Sequence, residues 1–193
     1  QTPMTLEDVQ AYAVGEWASI SMELRPTEDR AGTGQIQPTH LKRRFSYLSK
    51  DAFVGVITQY ADIAGEVPLV EFEFKGSLVW GNQHPIVEGA WTIDYVLDEG
   101  FAITALNSDF AAVLNQTLPE STTPFEVGVQ QDFLRQSFPL FNIVAGEVVS
   151  DHDLIYFSHG LLFMGAKHVD GTPFDTPERR PDAGLQVPLA RVQ

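Results

Sequence analysis

Residues 69–80 read LVEFEFKGSLVW, and their apolar and polar side chains alternate. The apolar positions are Val70, Phe72, Phe74, Leu78 and Trp80. Successive side chains of a strand point to opposite faces, so this segment predicts a strand with one apolar and one solvated face. Residues 86–97, IVEGAWTIDYVL, alternate in the same way, and a Gly/Pro-containing turn at 81–85 joins the two segments. Together they predict an antiparallel hairpin whose apolar face is rich in aromatic residues.

Further alternating segments flank this hairpin on both sides. They cover residues 15–25, 40–50, 53–60, 101–106, 125–131, 140–149, 153–157, 161–165 and 185–192. Helical periodicity is confined to short segments near residues 5–14 and 108–116, with Thr5 and Ser108 as the expected N-caps. About ten strands joined mostly by short turns predict an all-β fold, either an antiparallel β-barrel or a barrel-like sandwich.

The chain has 193 residues, which suits one domain with one sizeable core. We expect a single β-barrel domain over residues 1–193, with an N-terminal helical segment at 1–14. Residues 170–193 are expected to form an extended C-terminal tail and the last strand. Pro26 is expected to end the first strand, and the polar residues 27–38 to form a loop that is either a lid or disordered.

Composition excludes several classes of function. The formal net charge is -14, whereas nucleic acids and anionic membrane surfaces require a basic patch. Cysteine is absent, which rules out disulfides, thiolate metal sites and cysteine nucleophiles. No apolar run is long enough to span a membrane, so we expect no stable membrane insertion. A chain that begins at Gln1 is compatible with removal of a signal peptide, and equally with an artificial start.

The sequence contains none of the common catalytic or phosphate-binding motifs. His152 and His159 lie near acidic residues, but their parity differs, so we expect them on opposite faces of a strand rather than on one metal ion. The carboxylate pair Asp151 and Asp153 is expected on a polar face, where acid–base chemistry finds no perturbed setting. We therefore expect no cofactor, no metal site and no enzymatic activity.

The strongest indication of a binding site is a set of aromatic residues at the strand positions that face the apolar side of the sheet. A barrel of about eight or more strands has room for one small ligand, but the same residues are equally compatible with a solid core. The candidate ligand-binding residues are Arg43, Phe45, Tyr47, Phe53, Tyr60, Phe72, Phe74, Trp91 and Tyr95.

Arg43, Phe45 and Tyr47 lie two residues apart and therefore on the same face of the predicted strand. This position directs the guanidinium group of Arg43 into the apolar interior. An unpaired buried charge is costly, so a partner is required. That partner is either a Glu or Asp on another strand or the carboxylate of a ligand.

The segment Gly15-x-Trp17, after a helix and at the start of a strand, resembles the beginning of lipocalins and related calycin barrels. In those barrels an arginine near the C-terminus crosses the tryptophan. The resemblance implies this role for Arg191.

A closer resemblance covers most of the chain. The motifs that carry it are Glu23-x-Arg25-Pro26, Arg43-x-Phe45-x-Tyr47, Phe53-x-Gly55, Tyr60-x-Asp62, Val127-Gly-Val-Gln-Gln-Asp132, Leu162-Phe163-x-Gly165, Asp170-Gly171, Pro177-Glu-Arg-Arg180 and Pro188-Leu189. They resemble the domain of the adenomatosis polyposis coli down-regulated family of Wnt antagonists. This resemblance implies an extracytoplasmic, secreted or periplasmic β-barrel with an acyl-chain-binding interior.

The chain differs from that family in three respects. The animal proteins carry disulfide cysteines, two such domains and a membrane anchor, none of which occurs in this sequence. We therefore expect a single-domain relative with its own ligand, and we do not transfer Wnt binding.

These observations lead to one expected function and two alternatives. We expect a non-enzymatic protein that holds a fatty acid or lipid acyl chain inside a β-barrel, with Arg43 at the head group. The first alternative is a protein-interaction module with a solid core, whose protein partner the sequence does not name. The second is an enzyme that uses Asp94, Tyr95 or the histidines, although parity places Asp94 away from the interior.

Overall fold

The all-β prediction is confirmed by a computed structural model, which describes residues 4–28, 33–168, 170 and 172–193. The predicted helices are present as α1 (Leu6–Ala13) and α2 (Ser108–Thr117). The strands are β1 (Gly15–Ser19), β2 (Glu23–Glu28), β3 (Ile36–Tyr47), β4 (Ala52–Tyr60), β5 (Pro68–Gln83), β6 (Trp91–Ala105), β7 (Gln130–Asp132), β8 (Val149–Ser158), β9 (Leu161–Met164) and β10 (Leu189–Arg191).

The strands form one antiparallel, barrel-like ring. Its order is β1-β10-β9-β8-β6-β5-β4-β3, and β3 also pairs with β1. The long strands β3 and β6 each have a second partner at their other end, where β3 pairs with β2 and β6 pairs with β7. Residues far apart in the sequence therefore meet across the interior of the ring.

The hairpin predicted from residues 69–97 is confirmed as β5 and β6, but its turn was placed too early. Pairing continues through a register shift to Gln83 opposite Trp91, and the turn comprises residues 84–90. The strand predicted separately at 101–106 is the continuation of β6. A second register shift lies at Gly76, where a side chain would collide with the carbonyl oxygen of Val96. Only glycine allows β6 to pass so close there.

The first predicted strand, residues 15–25, is two strands separated by a break at residues 20–22. Pro26 does not end β2, which continues to Glu28 opposite Ile36. In the sheet order β2 is the terminal strand, and proline is tolerated at such a position because no further strand needs its missing N–H. The predicted loop at 27–38 was therefore too long at both ends. Its centre, residues 29–32, lies outside the described residues, so the lid interpretation stays a prediction.

The second half contains less strand than the sequence indicated. Of residues 125–131 only Gln130 and Gln131 are in a strand, and of residues 185–192 only Leu189–Arg191 are. Residues 140–149 are not a strand until Val149: Pro139–Phe141 is a single 3-10 turn, followed by Asn142 with φ of 56°. These segments are apolar because they fold onto the sheet, not because they belong to it.

Both helices are fixed by side-chain caps. Thr5 accepts a hydrogen bond from the amide of Asp8, and the Asp8 carboxylate accepts one from the amide of Thr5, as a capping box requires. The cap of α2 is Asn107 rather than the predicted Ser108, because its side-chain oxygen accepts from the amides of Asp109 and Phe110.

Two groups of buried residues stabilise the fold. The barrel cluster comprises Val9, Ala13, Trp17, Phe45, Tyr47, Phe53, Leu78, Ile93, Tyr95, Leu97, Ile155, Phe157, Leu162, Met164 and Leu189. The second cluster comprises Val70, Phe72, Phe101, Ile103, Ala105, Ala111, Leu114, Leu118, Phe125, Phe133, Phe138 and Ile143. Phe74 and Val149 are only partly buried, and each packs against both clusters. They mark the junction between the two.

Candidate functional site

The structure divides the predicted ligand-binding residues between the two clusters. The barrel cluster contains Phe45, Tyr47, Phe53 and Tyr95, with Trp91 packed against it. Phe72 belongs to the second cluster, Phe74 lies at the junction, and Tyr60 belongs to neither. Apart from Arg43 and Tyr60, the predicted residues therefore divide into a barrel half and an outer half that meet at Phe74.

Aromatic rings in the barrel half contact one another. The ring centroid of Tyr95 lies 5.0 Å from that of Phe53 and 5.8 Å from that of Phe45. The hydroxyl oxygens of Tyr47 and Tyr95 are 2.7 Å apart and share a hydrogen bond. Burial raises the pKa of Tyr47 and that of Tyr95 well above the usual range of a tyrosine, so both hydroxyls stay neutral.

A glycine makes room for one of these rings. Phe45, Gly55, Phe74 and Phe101 are neighbours in register across four strands and share the interior face. A Cβ at Gly55 would lie 2.9 Å from the ring of Phe45, so that ring occupies the space that a larger residue would take. The Phe-x-Gly pattern at residues 53–55 is explained by this contact.

Arg43 points inward, as its parity predicted, and is 3% exposed. Its Nε and Nη2 donate to the two carboxylate oxygens of Glu23 at 2.9 Å each, and Nη2 also donates to the carbonyl oxygen of Val187 at 2.6 Å. The alternative in which an acidic residue of another strand pairs with Arg43 is confirmed. These donors of Arg43 are thus occupied within the chain, and a ligand carboxylate is not needed to balance its charge.

Glu23 is buried because the strand predicted over residues 15–25 is interrupted. The break at residues 20–22 lets Glu23 turn inward. Ser19 holds it there: the Ser19 hydroxyl donates to Glu23 at 2.6 Å and accepts from the amide of Arg43 at 2.7 Å. The Glu-x-Arg motif was the available signal, but periodicity alone does not report a break.

Asp153 also faces inward, contrary to the expectation of a polar face. It lies opposite Ile93 in register and is 1% exposed. Its Oδ1 accepts from the amides of Leu154 at 2.7 Å and Gly165 at 2.9 Å, and Lys167 Nζ lies 4.0 Å from its Oδ2. Burial raises the pKa of Asp153 to about 6. Lys167 and the two amide donors act to lower this pKa, and the nearby charge of Asp151 acts to raise it.

Three basic and three acidic side chains interact around Arg43 and Asp153, and Lys167 and Asp151 among them are half-exposed. The basic side chains are Arg25, Arg43 and Lys167, and the acidic ones are Glu23, Asp151 and Asp153. Lys167 pairs with Asp151 at 3.3 Å, and Arg25 donates to the side-chain oxygen of Gln186 at 2.9 Å. Burial and the neighbouring Arg43 lower the pKa of Arg25 to about 10, which still leaves it charged at neutral pH.

Asp94, which the enzyme alternative names as a catalytic candidate, contacts His152 and Arg180. Its Oδ1 lies 3.0 Å from His152 Nδ1 and 2.8 Å from Arg180 Nη1. Arg180 also donates to the carbonyl oxygen of Asp153 at 2.7 Å, which fixes the C-terminal tail to β8. Among the described residues, no group of three His, Asp or Glu side chains is arranged to bind a metal ion.

The tryptophan crossing implied by the calycin resemblance is confirmed. The guanidinium carbon of Arg191 lies 4.2 Å from the centroid of Trp17. Arg191 also donates to the carbonyl oxygens of Val14 at 2.9 Å and Tyr12 at 2.6 Å. It thereby connects the last strand to the end of α1 and the start of β1.

Several of the sequence motifs meet at one place in the structure. Glu23 and Arg43 pair with each other, Val187 accepts from Arg43, and Gln186 joins Arg25 to the carbonyl oxygen of Gly165. These residues lie up to about 160 positions apart in the sequence. These polar contacts join β2 and β3 to the C-terminal tail, which gives the motifs a structural role.

Two hollows lie on the surface, away from the predicted site. One, of about 470 Å³, is lined by residues between 121 and 136, and the other, of about 400 Å³, is formed by residues 83–89 of the hairpin turn. Neither is lined by the candidate ligand-binding residues. Within the described residues, no helix has the length and apolar content needed to cross a membrane.

Comparison with known proteins finds no protein-family model that matches this chain and no curated protein with significant similarity to it.

Proposed function

We propose that this protein is a non-enzymatic binding protein that holds a fatty acid or lipid acyl chain against the aromatic interior of its barrel-like sheet. The observation that carries the proposal is the continuity of that interior. The apolar face runs from the barrel cluster through Phe74 and Val149 into the second cluster, and both junction residues are partly exposed. A flexible hydrocarbon chain suits a long apolar face better than a compact ligand does.

Entry of an acyl chain requires side chains to move. The rings of the barrel half already touch, so the chain must separate them or displace Phe74 and its neighbour Phe101, whose centroids are 5.4 Å apart. Burying hydrocarbon contributes about 0.8 kcal/mol per methylene, which for a long chain offsets a few displaced contacts. The junction is the proposed entrance because its two residues are partly exposed and each packs against both clusters.

The resemblance to the Wnt-antagonist domain supports this proposal and an extracytoplasmic location. The residues that carry the resemblance include Phe45, Tyr47 and Phe53, which line the interior of the ring. A Wnt-like partner is not part of the proposal, because this chain lacks the cysteines of that family.

In this proposal the head group of the ligand does not contact the ion pair between Arg43 and Glu23. Since Glu23 occupies two donors of Arg43, a fatty-acid carboxylate would have to break a buried bidentate pair to reach it. We therefore propose that a charged head group does not bind to Arg43.

Native mass spectrometry with palmitoleate tests the proposal directly. We expect wild-type protein to show a mass shift of one ligand, and Val149→Trp, which blocks the junction, to lose it. Val148→Trp is the matched control, since Val148 is exposed beside the junction and packs against neither cluster. Folded wild-type protein that stays unliganded contradicts the proposal, and so does equal binding by both variants.

A solid-core interaction module is the second candidate, and a specific observation favours it. Aromatic rings fill the barrel interior through contacts among Phe45, Tyr47, Phe53 and Tyr95. Arg43 is paired with Glu23 as well, so this interior needs no ligand to balance its charge. The same mass spectrometry separates the two candidates, because this one requires that wild-type protein bind no acyl chain.

A further inference from the structure

Building on the proposed acyl-chain site, we propose that its ligand carries an uncharged oxygen acceptor, as in an ester or an alcohol, and that the Tyr47–Tyr95 pair donates a hydrogen bond to it. Free fatty acids, which carry a carboxylate, are expected to be the poorer ligands.

The first argument concerns the hydroxyl protons of Tyr47 and Tyr95. Two phenol hydroxyls carry two protons, and the hydrogen bond between Tyr47 and Tyr95 uses one of them. Among the described residues no acceptor is positioned for the other proton. Both side chains are almost fully buried, away from bulk solvent. A buried donor without an acceptor is costly, and a ligand oxygen would remove that cost.

The second argument is the charge around the pair. The ionised groups whose fields reach these tyrosines are Arg43, Asp151 and Asp153. Arg43 is neutralised by Glu23, and the two aspartates share Lys167. A ligand carboxylate would add an unbalanced negative charge near two acidic side chains, whereas a neutral acceptor adds none.

Trp91 provides a comparison within the same strand. Its Nε1 is also buried without an acceptor, and it lies four residues from Tyr95 on the same face of β6. Four residues of a strand span about 13 Å, so one oxygen cannot meet both donors. The tyrosine pair is the better candidate because it lies within the barrel cluster, while Trp91 only packs against it.

Probes of equal chain length test the proposal: methyl dodecanoate, dodecane and dodecanoate, delivered from cyclodextrin at pH 7.5 and measured by native mass spectrometry and tryptophan fluorescence. One net hydrogen bond corresponds to roughly five- to tenfold in affinity, so we expect methyl dodecanoate to bind that much tighter than dodecane. Dodecanoate is expected to bind weaker than the ester by at least the same factor.

The double variant Tyr47→Phe/Tyr95→Phe should bind the ester and dodecane within about twofold of each other, because it has no donor at this position. It removes both hydroxyls and leaves neither unpaired, so we expect it to fold, which its melting temperature verifies. Tyr156→Phe is the matched control, since Tyr156 packs against Phe163 and belongs to neither cluster. This control should keep the full preference for the ester.

Several outcomes would overturn the assignment. Tightest binding of dodecanoate, equal binding of all three probes, or loss of the preference in Trp91→Phe instead of the tyrosine variant each contradicts it while leaving acyl-chain binding intact. If none of the probes binds to folded wild-type protein, the proposed function itself fails, and this inference fails with it.

Discussion

The barrel cluster and the second cluster are both well buried, but they are built differently. The barrel cluster comes mostly from alternating residues of long strands and has ionisable groups beside it, including Arg43 and Asp153. Several buried members of the second cluster, such as Phe125 and Phe138, come from segments outside the strands. The difference shows that strand periodicity organises one half of the interior, while loops that fold back complete the other.

Truncating the centre of the second cluster tests whether the two halves unfold together. Phe138 is fully buried, and its ring contacts those of Phe72, Phe101, Phe133 and Phe141. We expect Phe138→Ala to lower the free energy of unfolding by about 3–5 kcal/mol. The tryptophans all belong to the barrel cluster or pack against it, so their fluorescence in urea reports on the other half.

If the fluorescence transition of Phe138→Ala coincides with the wild-type transition while circular dichroism shows an earlier loss of structure, the clusters are separate units. Val113→Ala is the control on α2, because its side chain is exposed, and it should change stability by less than about 0.5 kcal/mol.

Breaking the buried ion pair tests the polar side of the barrel half. Arg43→Met leaves Glu23 buried and unpaired, which should cost about 3–5 kcal/mol. The neighbouring Arg44 pairs with Glu16 at 3.0 Å on the exposed face, so Arg44→Met should cost at most about 1 kcal/mol. Equal effects in urea denaturation would show that the buried pair has no special role, whereas adding Glu23→Gln to Arg43→Met should recover part of the loss.

Asp153 gives the barrel half a pH-dependent contribution to stability. Its pKa in the folded protein, about 6, lies above the ordinary value of 3.8, so its protonated form stabilises the fold. This contribution is complete below about pH 4 and is lost as the pH rises through 6; two pKa units correspond to roughly 3 kcal/mol. Asp153→Asn should therefore be more stable relative to wild type at pH 7.5 than at pH 4.5.

Thermal unfolding at several pH values measures this difference. Phe138→Ala should keep the wild-type pH dependence, because the ring of Phe138 packs against other phenylalanine rings and its removal leaves Asp153 in place. A stability difference between Asp153→Asn and wild type that does not change with pH would show that Asp153 titrates normally.

The smallest expected effect concerns how a loop is held on the second cluster. The side-chain oxygen of Asn115 accepts from the amide of Phe125 at 2.7 Å, and its amide group donates to the carbonyl oxygen of Phe125 at 3.3 Å. Asn115→Ala should cost about 1 kcal/mol and increase hydrogen exchange near residue 125. Gln116→Ala is the exposed control, and faster exchange in the barrel strands of Asn115→Ala would contradict a local role.

The sequence by itself determined the β5–β6 hairpin, the all-β fold and the inward direction of Arg43. It also supported Arg191 as the residue over Trp17, through a resemblance rather than through periodicity. These features are local or depend on a short motif: alternation fixes which side of a strand is buried before any partner strand is known.

Only the tertiary structure decided which groups meet inside the ring. Glu23 reaches Arg43 because the chain breaks at residues 20–22, and Asp153 lies inside because Asp153, Leu154 and Ile155 are all buried in succession, where alternation no longer applies. The second cluster depends on loops that pack against strands far away in the sequence. A buried charge is tolerated only where its partner arrives in three dimensions, and a period of two residues carries no information about that partner.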